Sequence, residues 1–219
     1  MISFKNVSFS FEDKRILSDV NFEIPDGKFI GILGPNGGGK TTLLKLSIGL
    51  LKPTEGEIKI HEKRISYISQ TTSMNDSSFP ATVEEVVGLG LVTPNPFNNF
   101  KKKKDKIYKV LKELNLFDIR KKLVSELSGG QQQRVKIAKA IISEPSLIVL
   151  DEPDAGMDEE SHENLLQIIN LLHRDKVTLL FVSHHPEDLE NADEIYFVED
   201  GTVLPYKEEM ERGHHHVSI

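Results

Sequence analysis

The stretch Gly34-Pro35-Asn36-Gly37-Gly38-Gly39-Lys40-Thr41 constrains this chain more than any other feature. It fits the pattern G-x-x-x-x-G-K-[ST], which has physical content only between a buried strand and a helix. Both flanks meet that requirement. Phe29-Ile30-Gly31-Ile32-Leu33 is a short unbroken apolar run, the composition of a strand covered on both faces. From Thr41 to Leu50, the residues Leu43, Leu44, Leu46, Ile48 and Leu50 follow helical spacing, with Gly49 and Pro53 marking the end. Glycines let consecutive backbone N–H groups turn inward around a phosphate chain, and the helix N-terminus adds the positive end of its dipole. Lys40 is expected to reach the β- and γ-phosphates and the Thr41 hydroxyl to hold Mg²⁺. Gly34, Pro35, Asn36, Gly37, Gly38, Gly39, Lys40, Thr41 and the adjoining Thr42 form the candidate phosphate-binding set. Alone, the motif specifies a nucleotide and not a reaction, because kinases, GTPases and ATPases share it.

A second apolar run, Leu147-Ile148-Val149-Leu150, ends in Asp151-Glu152. Two acids then stand at the carboxyl end of a buried strand, where open α/β sheets present their ligand groups. Asp151 suits the Mg²⁺ shell. Successive side chains of a strand point apart, so Glu152 is directed away from the metal and suits a general base that polarises the attacking water.

Period-two alternation from Ile2 to Phe11 and from Val20 to Ile24, with turn residues Pro25-Asp26-Gly27, predicts an antiparallel β region. Short strands are expected at Glu57 to Ile60 and Ile65 to Ser69, leading to Gln70. Beyond Gln70 the chain turns polar, and helices are expected at Val83 to Leu89, Ile107 to Leu114 and Gln131 to Ile142. The core pattern resumes at Leu147, with a helix through Leu165, Leu166, Ile168, Ile169 and Leu172 and a buried strand from Val177 to Val182. Alternation of strand and helix implies a parallel sheet. The expected architecture is α/β: a P-loop NTPase core with a mainly parallel sheet, an antiparallel β subdomain and an inserted α-helical subdomain. Within a single nucleotide-binding domain over 1–219, the core takes 1–70 and 146–205, the helical insertion 71–145, and a frayed polar tail 206–219.

The 219 residues suffice for one sizeable core, and no apolar run approaches the ~20 residues that span a bilayer. Met1 to Asn6 lacks the layout of a signal peptide, so the chain is expected to stay in the cytosol. Cysteine is absent, which excludes disulfides and thiolate metal sites. A net charge of −7 argues against a nucleic-acid partner. The run Lys101-Lys102-Lys103-Lys104 fits the solvated start of an exposed helix better than a binding patch, although a basic helix near anionic lipid is the sharper alternative.

Leu127-Ser128-Gly129-Gly130-Gln131, followed by Gln132-Gln133-Arg134 and a helix, is the remaining motif. Read locally, Ser128 is an N-cap before a helix start with bare N–H groups, which is an anion site. Here the chain resembles the ATP-binding cassette family, whose signature these residues match. The resemblance covers essentially the whole chain. It implies that Ser128, Gly129, Gly130 and Gln131 bind the γ-phosphate of ATP held by an opposite subunit. Phe11 then stacks on adenine, Gln70 joins the lobes and senses Mg²⁺, and His184 is the switch histidine at the γ-phosphate. The catalytic set becomes Glu152, His184 and Gln70, the Mg²⁺ set Thr41, Gln70 and Asp151, and Pro153 to Asp158 crosses the interface. The stacking residue is Phe where Tyr is commoner, and Asp154 adds a charge beside the catalytic acids.

The same resemblance implies a homodimer of cassettes in the ATP-bound state, driving an integral membrane permease from the cytoplasmic face of the cell membrane. No heptad run of the length found in chromosome-maintenance relatives is present, and there is no room for a second cassette. Ser78 to Val87 is similar to the corresponding stretch in zinc and manganese importers, as is the ending Ala155-Gly156-Met157-Asp158. Divalent metal, delivered by an extracytoplasmic metal-binding protein, is therefore the expected cargo; a metal chelate or a non-transport role is the alternative. His214-His215-His216 reads as a metal ligand set or as a solvated tail, and carries no weight in that assignment.

Overall fold

The computed structural model describes residues 1–61, 64–69, 80–91, 100–154 and 157–206. Gln70, Ser78, Phe79, Ala155, Gly156 and His214 to His216, all singled out above, lie outside the described residues.

Strands β1 (Ile2–Phe11), β2 (Lys14–Ile24) and β4 (Glu55–Ile60) form an antiparallel sheet in the order β2-β1-β4. Strict alternation was expected along β1, and the structure departs from it. Ile2, Ser3 and Phe4 are buried, Lys5 and Asn6 exposed, then Val7, Ser8 and Phe9 buried again. The cause is a bulge: Asn6 has φ 47°, and the pairing register with both neighbours shifts there. The Asn6 N–H donates to Asn21 Oδ1 at 3.0 Å and its amide to Asp19 Oδ1 at 2.8 Å, which holds the bulge from the facing strand. β2 also starts earlier than the alternation suggested. Phe11 pairs with Lys14 across a tight turn in which Glu12 has φ 52°, a conformation its residue type does not advertise.

The second sheet holds β3 (Phe29–Leu33), β5 (Ile65–Ile68), β6 (Leu147–Asp151), β7 (Thr178–Val182), β8 (Glu194–Glu199) and β9 (Thr202–Pro205). Its order is β5-β6-β7-β3-β8-β9, parallel except for the last pair. The expected parallel α/β core is present. β8 and β9 extend it on a side for which periodicity gave no strand. Side-chain alternation divides the sheet between two cores. Phe29, Leu33, Ile148, Leu150, Leu179 and Phe181 join one cluster; Ile30, Ile32, Leu147, Val149, Leu180 and Val182 join the other.

The second cluster lies against the antiparallel sheet and helix α1 (Lys40–Ser47), through Phe4, Leu17, Leu43 and Leu46. α1 stops before Leu50 because Gly49, at φ 74°, takes the left-handed conformation that ends helices, and Leu50 is left exposed. The first cluster receives α2 (Val83–Gly88), α3 (Phe100–Glu113), α4 (Gly129–Ile141) and α5 (Glu159–Arg174) through Val83, Leu111, Val135 and Leu165. α2 starts at a capping box: Thr82 Oγ1 accepts from the Glu85 N–H, and the Glu85 carboxylate accepts from the Thr82 N–H at 2.8 Å. α3 begins seven residues before the expected Ile107, so the lysine run forms its exposed first turns. Among the described residues no helix is long and apolar enough to cross a membrane.

Candidate functional site

Parallel pairing sets the site. Ile32 of β3 is level with Val182 of β7, and Val182 is level with Asp151 of β6. The three strands therefore end together, and the loops leaving them meet at one edge of the sheet. The loop after β3 carries the glycines, β6 ends in the acids, and β7 runs into Ser183 and His184.

The glycine loop is held by close approach. At Gly34, φ is 143° and an added Cβ would stand 2.1 Å from the Val198 carbonyl oxygen, so no side chain fits. Gly39, at φ 108°, turns the chain into α1 with no side-chain cap, which leaves the start of that helix open to an anion. Lys40 is buried, and its Nζ donates to the carbonyls of Gly34 at 2.9 Å and Pro35 at 3.1 Å.

The same ammonium lies 3.3 Å from Glu152 Oε1, and His184 Nε2 lies 2.8 Å from that oxygen. One carboxylate is thus gripped between the loop lysine and the histidine that follows β7. Glu152 itself has φ 48°, a strained conformation for a non-glycine residue, and its N–H donates to the Val182 carbonyl at 3.2 Å. Glu152 lies one residue past the end of β6, so this left-handed turn, and not strand alternation, sets its direction.

Asp151 is buried, with Oδ1 accepting from Thr41 Oγ1 at 3.3 Å and Oδ2 accepting from the Tyr67 hydroxyl at 3.0 Å. Burial pushes the Asp151 carboxyl above the usual carboxylate range, against the two hydroxyl hydrogen bonds and with the help of the Glu152 charge. Tyr67 is pushed up as well, by burial and by the facing Asp151 charge. Sequence reasoning missed Tyr67. Its signal was weak: a tyrosine in β5, a strand whose register against β6 only the fold supplies.

A cleft of about 930 Å³ opens over these groups, lined among others by Lys14, Asn36, Lys40, Thr41, Glu152 and His184. That volume is in the range that encloses a whole small ligand. Ser128, Gly129, Gly130 and Gln131 are absent from its lining. They start α4 instead, in a reciprocal capping box: Ser128 Oγ accepts from the Gln131 N–H at 3.3 Å, and Gln131 Oε1 accepts from the Ser128 N–H at 3.2 Å. Gly130 is wedged against α5, where an added Cβ would stand 2.0 Å from Ser161 Oγ. Phe11 also lies off the cleft wall, two-thirds exposed at the end of β1, while Lys14 and Ile16 beyond the turn do line it.

A glycine loop between strand and helix, a lysine folded into it and two acids level with it on a parallel sheet define a P-loop nucleotide hydrolase. Comparison with known proteins narrows the class. The ABC transporter family model matches residues 17–155. The zinc uptake system ATP-binding protein ZurA of Listeria monocytogenes is 38% identical over 196 residues, covering 84% of this chain and 76% of ZurA. The manganese transport system ATP-binding protein MntB of Halalkalibacterium halodurans is 37% identical over 194 residues, with the same 84% and 76% coverage. The solved structure of a dimeric bacterial ABC transporter cassette superposes with a TM-score of 0.81 at 28% identity, covering 93% of this chain and 96% of that one. The chain belongs to the ABC transporter family and is an ATP-hydrolysing cassette.

The raised carboxyl of Asp151 has a consequence for stability. A carboxyl whose folded value lies above its unfolded one favours the fold while protonated, and the contribution is lost as pH rises through the folded value. At neutral pH Asp151 therefore costs stability in the nucleotide-free protein. Asp151→Asn is expected to raise the melting temperature at pH 7 without nucleotide. That gain should shrink below the ordinary carboxylate range, where Asp151 is protonated in both states; thermal scans at the two pH values check it.

Proposed function

We propose that this chain is the ATP-hydrolysing subunit of a divalent-metal importer, acting as a homodimer of cassettes bound to an integral membrane permease at the cytoplasmic face of the cell membrane. One observation carries the dimer. Lys40, Thr41, Glu152 and His184 share a cleft that excludes Ser128 to Gln131 of the same chain. A second copy packed head to tail would bring its own Ser128 to Gln131 over that cleft, closing ATP between two helix starts of opposite chains. The dimeric cassette it resembles supports this arrangement. The cargo rests on the zinc and manganese systems to which ZurA and MntB belong, and on the similar stretch Ser78 to Val87. An extracytoplasmic metal-binding protein would deliver the ion to the permease.

The residues present fit Mg²⁺, because Thr41 Oγ1 and Asp151 Oδ1 are hard oxygen donors 3.3 Å apart beside the loop. Held there, Mg²⁺ would neutralise charge on the β- and γ-phosphates. Lys40 is assigned to the same phosphates, and to reach them it must leave the Gly34 and Pro35 carbonyls and Glu152. That move frees the Glu152 carboxylate to accept a proton from the attacking water. His184, released from Glu152, is assigned to the γ-phosphate, and Gln70 to the link between the lobes. Asn36, Gly37, Gly38, Gly39 and Thr42 supply backbone and side-chain donors along the loop. Phe11, exposed at the end of β1, offers an aromatic face to adenine. Once the bond to the γ-phosphate is cut, the charge that bridged the two copies is divided and the pair opens.

Three experiments test this reading. Glu152→Gln should cut turnover by about 10²–10⁴-fold and leave ATP binding intact, so that size-exclusion chromatography with ATP finds a dimer; unchanged turnover removes the base assignment. Ser128→Arg should abolish hydrolysis at saturating ATP while each monomer still binds nucleotide, and sustained hydrolysis would contradict a site shared between chains. In proteoliposomes containing the permease, ATP on the cassette side should drive uptake of zinc or manganese, and transport of neither would overturn the cargo.

A further inference from the structure

Beside the catalytic pair, Asp154, His162 and Asp188 bring one ligand atom each within 4.8 Å of one another. They come from three segments. Asp154 lies two residues beyond Glu152, His162 in the first turn of α5, and Asp188 in the short 3₁₀ helix Pro186–Leu189, four residues beyond His184. The Asp188 side chain is 1% exposed. Its Oδ2 accepts from Ser183 Oγ at 2.6 Å, whereas its Oδ1, also buried, has no hydrogen bond. Oδ1 faces His162 Nε2 at 3.0 Å, and that nitrogen is buried and equally without one. The two atoms stand at ion-pair distance without the alignment of a hydrogen bond.

Two carboxylates and one imidazole nitrogen thus converge, with Asp154 adding a second acid beside the buried Asp188 oxygen. A divalent cation bound among them would satisfy Asp188 Oδ1 and His162 Nε2 together. The geometry points to a Zn²⁺ site formed by Asp154, His162 and Asp188. One imidazole and two carboxylates suit zinc, whereas Mg²⁺ takes oxygen ligands and keeps most of its waters. Zinc bonds of about 2.0–2.2 Å place two donors on one tetrahedral ion roughly 3.3 Å apart, close to the 3.0 Å between Nε2 and Oδ1. A further imidazole is at hand: the His185 ring centre lies 6.0 Å from that of His162, with its Nδ1 3.4 Å from Glu187 Oε1. Water completes the coordination.

The position gives the site its effect. Zinc bound here ties the segment after Glu152 to the segment after His184, and so holds closed the Glu152–His184 contact that hydrolysis must open. Zinc therefore slows turnover. Binding and inhibition stand without any assumption about cargo; only the interpretation as feedback by the imported metal rests on the importer reading.

Calorimetric titration of ZnCl₂ into the nucleotide-free full chain tests the site, with His214, His215 and His216 all changed to Ala so that the tract contributes no heat. One zinc per chain is expected. His162→Gln should weaken binding by at least the roughly tenfold lost when only a ligand's supporting partner is removed, and should relieve zinc inhibition of ATP hydrolysis. Asp154→Asn should do the same and leaves the buried Asp188–Ser183 bond intact, which separates loss of a ligand from loss of the fold. Absence of heat, or wild-type zinc affinity in both variants, overturns the site; zinc inhibition that persists in both overturns its effect on turnover. A protein that binds zinc here while its permease carries neither zinc nor manganese keeps the site and loses the cargo assignment alone.

Discussion

The parallel register of β3, β7 and β6 is the constraint on which the rest depends. With Ile32, Val182 and Asp151 level across the sheet, three loops far apart in sequence leave it at one edge. The hydrogen bonds that enforce the register are backbone bonds in a layer covered on both faces, where an unpaired group would carry its full desolvation cost. A slip by one residue would exchange the two cores, sending Phe29 and Phe181 to the side of α1 and the antiparallel sheet. Packing therefore guards the geometry of the site.

Charge is balanced inside that frame in a way that suits a resting enzyme. The Lys40 ammonium is taken by two loop carbonyls and by Glu152. His184 closes on the same carboxylate oxygen from the other side. Lys40 and His184 thus hold one oxygen of the same carboxylate from two sides. Asp151 is held separately, between Thr41 and Tyr67, at the expense of a buried charge. Strain at Glu152 and desolvation at Asp151 are both costs borne by the fold for the site.

Most of the plan was legible because it is written in local chemistry. The buried runs at Phe29 and Leu147, the helical spacing after Thr41 and the N-cap at Ser128 each declare themselves within a few residues. What escaped depended on context. Asn6 and Glu12 take left-handed conformations that a facing strand or a tight hairpin holds; asparagine tolerates that region, whereas glutamate gives no sign of it. β8 alternates only weakly between apolar and charged, and its place is fixed by pairing with β3 and β9. Tyr67 became part of the site solely through the register of β5 against β6.

The sequence by itself determined the phosphate loop, the acids at the strand end and the start of α4, because glycine conformations, strand ends and helix caps are settled between near neighbours in the chain. It also carried the resemblance to the ATP-binding cassette family, which the family match then showed. Only the tertiary structure decided that Lys40 and His184 share one oxygen of Glu152, that Tyr67 supports Asp151, and that Asp154, His162 and Asp188 converge. Those contacts join segments with no shared local signal, and they exist because strands distant in sequence must pair in one register to bury their two faces.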